Sequence, residues 1–354
     1  MNKRVWFASI GIAVLLCGIV FCVHRYWIDD EGARREKMLS TMPSAANVVF
    51  FADTSQLRQT PFIAQLFAWA PKPQVDAEYA KFLRDTGFDY ERDLDRIAIG
   101  ITKRGQDTTF FAVAEGRFDR RKINTYTSQF GTHESRGGRE IFSVPVKDSK
   151  RKISFTFPSL HGIALTDDPD VAVLIAAPPT GDDAKEWRVR FNRLAGSPLF
   201  AVIRQDAATD SALETRALGG LQSQQFSAML DQLQWITIAG KPEEDRLRVV
   251  MEGECPTDAA ARQFSDLLNG VLTLAQAGLN GPQVRQQLDP QAREAYLEML
   301  KAADIARLDR GETKSVRLIF DVTPKFLAAA RTAAPEIRPQ QRPNHKPNRT
   351  PPHE

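Results

Sequence analysis

The groups in this chain of 354 residues that could catalyse or bind metal are few: five histidines, three cysteines and one run of alternating carboxylates. In "GFDYERDLDR" (87–96), Asp89, Glu91, Asp93 and Asp95 alternate like the start of a calcium loop. An EF-hand loop needs glycine at its sixth position for the sharp turn and a bidentate glutamate at its twelfth. Leu94 and Gly100 stand there, so the run reads as a solvated turn leading into a strand. His133, followed by Glu134, and His161 are the histidines of the body, and they lack H-E-x-x-H spacing. Two histidines without a cysteine partner make a poor zinc set. Cys255 precedes Pro256 and a helix start, where a dipole could lower a thiol pKa. Cys17 and Cys22 lie in an apolar stretch, which leaves Cys255 no partner for a redox pair and reads it as a buried, inert thiol.

Other sites of chemistry fare no better. A Ser-His-Asp constellation is defined in space and stays open, but no G-x-S-x-G elbow occurs. "RGGRE" and "LGGLQ" match neither phosphate-loop pattern; Gly137-Gly138 reads as a hairpin turn and Gly219-Gly220 as a helix break. "DRRK" (119–122) and "KDSKRK" (147–152) are short basic turns without the glycine-aromatic run of an RNA-binding sheet, so no nucleic-acid partner is expected. The sequence thus assigns no catalytic residue, no cofactor and no metal ligand.

The elements that would position any site follow from hydrophobic period. "NVVFFAD" (47–53), "RIAIGI" (96–101), "TTFFAVAEG" (108–116), "REIFSVPV", "KISFTF" and "HGIALT" read as strands, with helices between the first two and after the third. A second cycle reads strand "SPLFAVIRQD", a helix over about 211–231, strands "QWITIAG" and "DRLRVVMEGE", a helix, and strand "KSVRLIFDV". That helix, "TDAAARQFSDLLNGVLTLAQAG", carries Phe264, Leu267, Leu268, Val271, Leu272 and Ala275 at helical spacing. Both cycles have the βαββαβ order of a ferredoxin-like module. The two hairpins end alike, in Glu115-Gly116 and Glu252-Gly253, which puts Phe118 in the place of Cys255 and suggests an internal duplication.

Both ends of the chain differ from this body. Val5–Val23 carries no charge; as a helix it would rise about 28 Å, close to a bilayer core. It is longer than a signal-peptide core, lacks a small-residue cleavage site, and is followed by His24, Arg25, Tyr26 and Trp27, an interfacial belt. A retained anchor is therefore expected, with Lys3 and Arg4 on the cytoplasmic side, although Arg34, Arg35 and Lys37 argue the other way. At the far end, Pro339, Pro343, Pro347 and Pro351 recur every four residues, and Arg338, Arg342, Lys346 and Arg349 make a basic tail suited to an anionic surface.

The segments "MPSAANVVFFADTSQLRQTPFIAQL" and "GFDYERDLDRIAIGI", behind a short anchor, resemble a group of uncharacterised bacterial proteins, notably acidobacterial, that are single-pass membrane-anchored with duplicated modules. The resemblance covers mainly residues 40–115. It implies an envelope-associated protein and transfers no catalytic residue.

The expectation is an α+β protein: cytoplasmic residues 1–4, a transmembrane anchor at 5–25, and a juxtamembrane helix or linker at 26–44. Two ferredoxin-like modules follow at 45–195 and 196–336, then a disordered tail at 337–354. It would sit in the inner membrane with its body outside. Its partners would be the lipid bilayer and an envelope protein or anionic polymer, in a non-enzymatic binding or scaffolding role. The alternatives are a hydrolase with its site between the modules, near His133 or His161, and a carrier of an apolar ligand.

Overall fold

The structure is a computed structural model that describes residues 32–69, 77–105, 107–146, 149–205, 233–311 and 313–333. Its frame is one sheet of twelve strands, and every pairing is antiparallel. In chain order the strands are β1 (Val48–Asp53), β2 (Leu94–Arg104), β3 (Asp107–Gly116), β4 (Thr132–Arg136), β5 (Arg139–Pro145) and β6 (Lys152–Ser159). They continue as β7 (Gly162–Thr166), β8 (Leu199–Arg204), β9 (Trp235–Pro242), β10 (Leu247–Cys255), β11 (Asp304–Arg310) and β12 (Thr313–Val322). Across the sheet the order is β11-β12-β10-β9-β8-β1-β2-β3-β7-β6-β5-β4.

Two separate ferredoxin-like modules are therefore not present. A ferredoxin-like module would reach its first strand's neighbour by a crossover, whereas β1 pairs directly with β2 (Phe50↔Ile99) and, on its other edge, with β8 (Phe50↔Ala201). The expected boundary at 195/196 falls just before β8, in the middle of a continuous sheet. The physical reason is visible in β1 itself. "VVFFA" is apolar on both faces, the signature of a strand covered on both sides, and such a strand seats best with both edges paired. The two similar hairpins are β2–β3 and β9–β10, flanking the β1–β8 pair within that sheet. Their shared glycines answer two local needs. A Cβ on Gly116 would stand 2.3 Å from the Asp93 carbonyl oxygen, and one on Gly253 would stand 2.9 Å from a Leu233 methyl.

Val49 and Phe51 point to one face, and Val48, Phe50 and Ala52 to the other. The first face is covered by α1 (32–40) and α7 (Asp182–Arg193), around a core of Met38, Leu39, Phe51, Trp187, Phe200 and Val202. The described part of the segment expected to be a juxtamembrane helix or linker is thus helical over 32–40, and its Met38, Leu39 and Met42 belong to the core. The second face carries α2 (Thr54–Arg58), α3 (Pro61–Trp69), α6 (Arg120–Ser128), α8 (Asp258–Asn280) and α11 (Pro324–Ala333). The remaining helices are α4 (Ala77–Thr86), α5 (Tyr90–Asp93), α9 (Pro282–Gln287) and α10 (Pro290–Ala302). Along α8 the expected apolar stripe is seated only at its start. Phe264 is buried, while Leu267, Leu268, Val271, Leu272 and Ala275 are half-exposed.

Among the described residues no helix is long and apolar enough to cross a membrane. The anchor expected at 5–25, the helix expected over 211–231 and the tail at 337–354 lie outside the described residues.

Candidate functional site

The α1–α7 layer holds the candidate site, and the sequence of α7 explains its seat. Asp182 and Asp183 stand in the first turn, and Arg190 and Arg193 in the last, each matching the helix dipole. Trp187, Arg190 and Phe191 fall three and four residues apart and are the buried stripe. The Trp187 indole N–H donates to the Ser44 carbonyl at 3.3 Å, and its ring meets Trp235 edge-on at 4.9 Å. Arg35 ties α1 to the same layer. Its guanidinium lies 5.0 Å from the rings of both Phe51 and Phe200 and donates to the carbonyls of Leu194 (2.6 Å) and Ala195. Burial pulls this guanidinium below its ordinary pKa, against the attraction of Asp53.

Between α1 and α7 a cavity of about 250 Å³ opens to solvent. Leu39, Met42, Trp187 and Phe191 make its apolar wall, and Arg188 and Asn192 stand at its polar side. The titratable residues that line it are Arg35, Glu36 and Arg188. Arg35 is committed to two carbonyls, and no histidine or cysteine joins Glu36 in the lining; Ser40 and Ser44 are there, and the Ser40 hydroxyl donates to the Lys37 carbonyl. The apolar wall is shaped to take an apolar group.

Below α7 lies a buried ionic network. Arg190 (5% exposed) donates to Glu254 (2% exposed) at 2.5 Å and stacks 4.0 Å over Trp235. Arg193 reaches the other Glu254 oxygen at 2.7 Å. Glu252 takes two bonds from Arg310, at 2.9 and 3.1 Å, and one from the Ser315 hydroxyl at 2.8 Å. Every carboxylate oxygen here is paired, so the network fixes α7 onto β10 and offers no free acid or base. A smaller set on the same face joins Arg96 to Asp53 at 2.8 Å and to Glu115 at 3.4 Å. Burial pushes Asp53 up, but hydrogen bonds from Gln56 N–H, Ser55 and Arg96 outweigh it and leave its pKa lowered.

The residues singled out by sequence do not converge. His133 is exposed on β4, with Nε2 2.7 Å from Glu140 and its ring stacked on Phe142. No serine hydroxyl is bonded to it among the described residues. His161 stands in the β6–β7 turn on the same wing, where its carbonyl accepts the Gly116 N–H at 2.8 Å. Cys255 is buried, and burial pushes its thiol up to about 11. The carboxylates of 89–95 are engaged locally: Asp89 caps α5, Asp93 takes Arg92 and Arg117, and Asp95 takes Arg58. No group of His, Cys, Asp or Glu among the described residues is placed to hold a metal ion. Arg338, Arg342, Lys346 and Arg349 lie outside the described residues. The cavity itself was missed in sequence. Its only trace was the apolar pair Met38-Leu39 in the otherwise polar segment "GARREKMLS", opposite a helix with Trp187 and Phe191 on one stripe.

No family model matches this chain, and no curated protein matches it. Among solved structures it is similar to TP0453. Crystal form III is 12% identical with a TM-score of 0.43, over 83% of this chain and 96% of that one. Crystal form I is 11% identical with a TM-score of 0.41 over the same shares. A likeness this distant says nothing of activity or ligand.

Proposed function

We propose that this protein is a non-enzymatic binding protein of a cell envelope that holds an apolar ligand in the α1–α7 cavity. This puts the apolar-carrier reading ahead of scaffolding. The observation that carries it is the cavity: an apolar wall, about 250 Å³, and no acid–base pair in its lining. That volume lies just below the usual range of small-molecule sites, which suits one chain or ring of a ligand better than a bulky molecule. The uncharged stretch 5–23 supports a membrane address, a single-pass arrangement with the body on the outer side, and hence a lipid-like ligand. A hydrolase reading has less to stand on, because His133 and Glu140 meet with both side chains more than half exposed on an edge hairpin, and no serine hydroxyl is bonded to His133 among the described residues.

Filling the cavity tests the reading. A fluorescent acyl-chain probe should bind the full-length protein in detergent, and Ala184→Trp should weaken that binding by about tenfold or more, the scale of one apolar group losing its pocket. Circular dichroism would show that the variant folds. Undiminished probe binding by a folded Ala184→Trp protein would remove the cavity as the site.

A further inference from the structure

The end of the sheet where α1 begins is marked by register. Arg35 near the start of α1 bonds the carbonyls of Leu194 and Ala195, and Gly32 and Ala195 share the cavity mouth. These carbonyls immediately precede β8, whose Leu199 pairs with Ala52. The same line continues across the sheet: Asp53 pairs with Arg96, Arg96 with Glu115, and Glu115 with Gly162. The β6–β7 turn, Leu160-His161, is therefore at this end too. From β8 to β7 is four strand spacings, about 19 Å. Nine chain steps separate Val23 from Gly32, so the apolar stretch is tethered within about 30 Å of the α1 start.

At that turn stands Leu160, 74% exposed. Basic groups gather beside it. Arg120 donates to the Ser159 carbonyl and lies 5.1 Å over Phe157, and Arg117, Arg121 and Lys122 follow on the adjoining loop and first turn of α6. Asp119 is the one acid in 117–122 and caps α6. Two other carboxylates stand at this end: Glu115, opposite Gly162, is paired with Arg96, and Asp93 is withdrawn, its side chain 8% exposed, whereas those of Arg92 and Arg117 that cover it are 65% and 62% exposed. Farther along this edge, Glu91 and Asp95 are taken up beside Tyr90 and Arg58.

We infer that the Leu160 turn is a second contact with the bilayer, inserting one leucine among anionic headgroups that meet Arg117, Arg120, Arg121 and Lys122. An exposed leucine in water gains by burial in acyl chains, and a basic rim suits a surface of negative potential. With the α1 start, to which the apolar stretch is tethered, and this turn at the same end of the sheet, about four strand spacings apart, the sheet would stand with its strands pointing at the membrane. The inference rests on the membrane address proposed above.

The test uses full-length protein in vesicles of phosphatidylcholine with and without phosphatidylglycerol. Leu160→Cys and Lys150→Cys, each in a chain whose Cys17 and Cys22 are serine, carry a fluorescent label, and brominated lipid quenches it by depth. Lys150 is exposed in the β5–β6 connection, at the opposite end of the sheet, where Arg151 bonds Thr108 and Asp167. The label at 160 should be quenched several-fold more than the label at 150, with the excess growing with phosphatidylglycerol and shrinking with salt. Equal quenching at both positions in protein that stays with the vesicles would overturn the docking and leave the membrane address intact. Protein recovered in the supernatant with both labels unquenched would overturn the address and the docking together.

Discussion

The two hairpins β2–β3 and β9–β10 look alike in sequence and are held differently. Each ends in Glu-Gly on the α1–α7 face of the sheet. In the first, Glu115 is paired among the described residues with Arg96, at 3.4 Å, and keeps a quarter of its side chain in solvent. In the second, Glu252 and Glu254 are buried and share Arg190, Arg193 and Arg310. The difference follows from what lies above. Helix α7 lies over β9 and β10 and carries its arginines down to Glu254, while among the described residues no α7 arginine is paired with Glu115. Like motifs thus mark like positions in a strand pair, and the layer above decides whether the charge is ornament or fastening.

That contrast predicts unequal losses. Glu254→Ala should cost about 3–5 kcal/mol in urea unfolding, since it strands two arginines under α7. Glu115→Ala should cost less than about 1 kcal/mol, as for an ion pair open to water. Equal costs would mean that the network contributes no more than its exposed counterpart. The glycines should separate in the opposite sense. Gly116→Ala drives a Cβ into a backbone carbonyl that cannot turn aside and should cost about 3 kcal/mol. Gly253→Ala meets the methyls of Leu233, which can rotate, and should cost about 1 kcal/mol. The smallest effect concerns acid. Asp93 has its pKa lowered to about 2, first by the Arg92 hydrogen bond, then by the Asp89 backbone N–H and Arg117. Its folded-state value lies below the unfolded one, so its contribution is full above about pH 4 and is lost as pH falls through about 2. Asp93→Asn should flatten that acid limb of the stability curve; an unchanged limb would assign it to other carboxylates.

Strand positions were legible wherever one or both faces are apolar: β1, β2, β3, β8, β9, β10 and β12 all follow their period. The turns announced by Gly105, Gly137 and Gly138 are where positive φ requires glycine. Strands β4, "THESR", and β11, "DIARLDR", were not legible. Both are edge strands rich in charge, and β4 is exposed along its whole length. Such edges protect a sheet from pairing with other chains, and the same charges erase the pattern that reveals a strand. Pairing order was misread because element order along the chain does not say which edges meet. The cavity was hidden for a related reason: Met38 and Leu39 sit in a segment whose charges read as a polar juxtamembrane helix or linker, and only the tertiary structure brings them into one core with Phe191.

The seam between β1 and β8 has a consequence for how the chain comes into being. Phe50 finds Ala201 across the seam only after everything between them has been made. Until then a strand that is oily on both sides offers an unsatisfied edge, and neither half can be completed without the other. Contacts so distant along the chain slow folding and lengthen the exposure of sticky intermediates. A cell that makes this protein must therefore shelter the unfinished half until its mate emerges, and a chain cut between α7 and β8 should yield two insoluble pieces rather than two working ones.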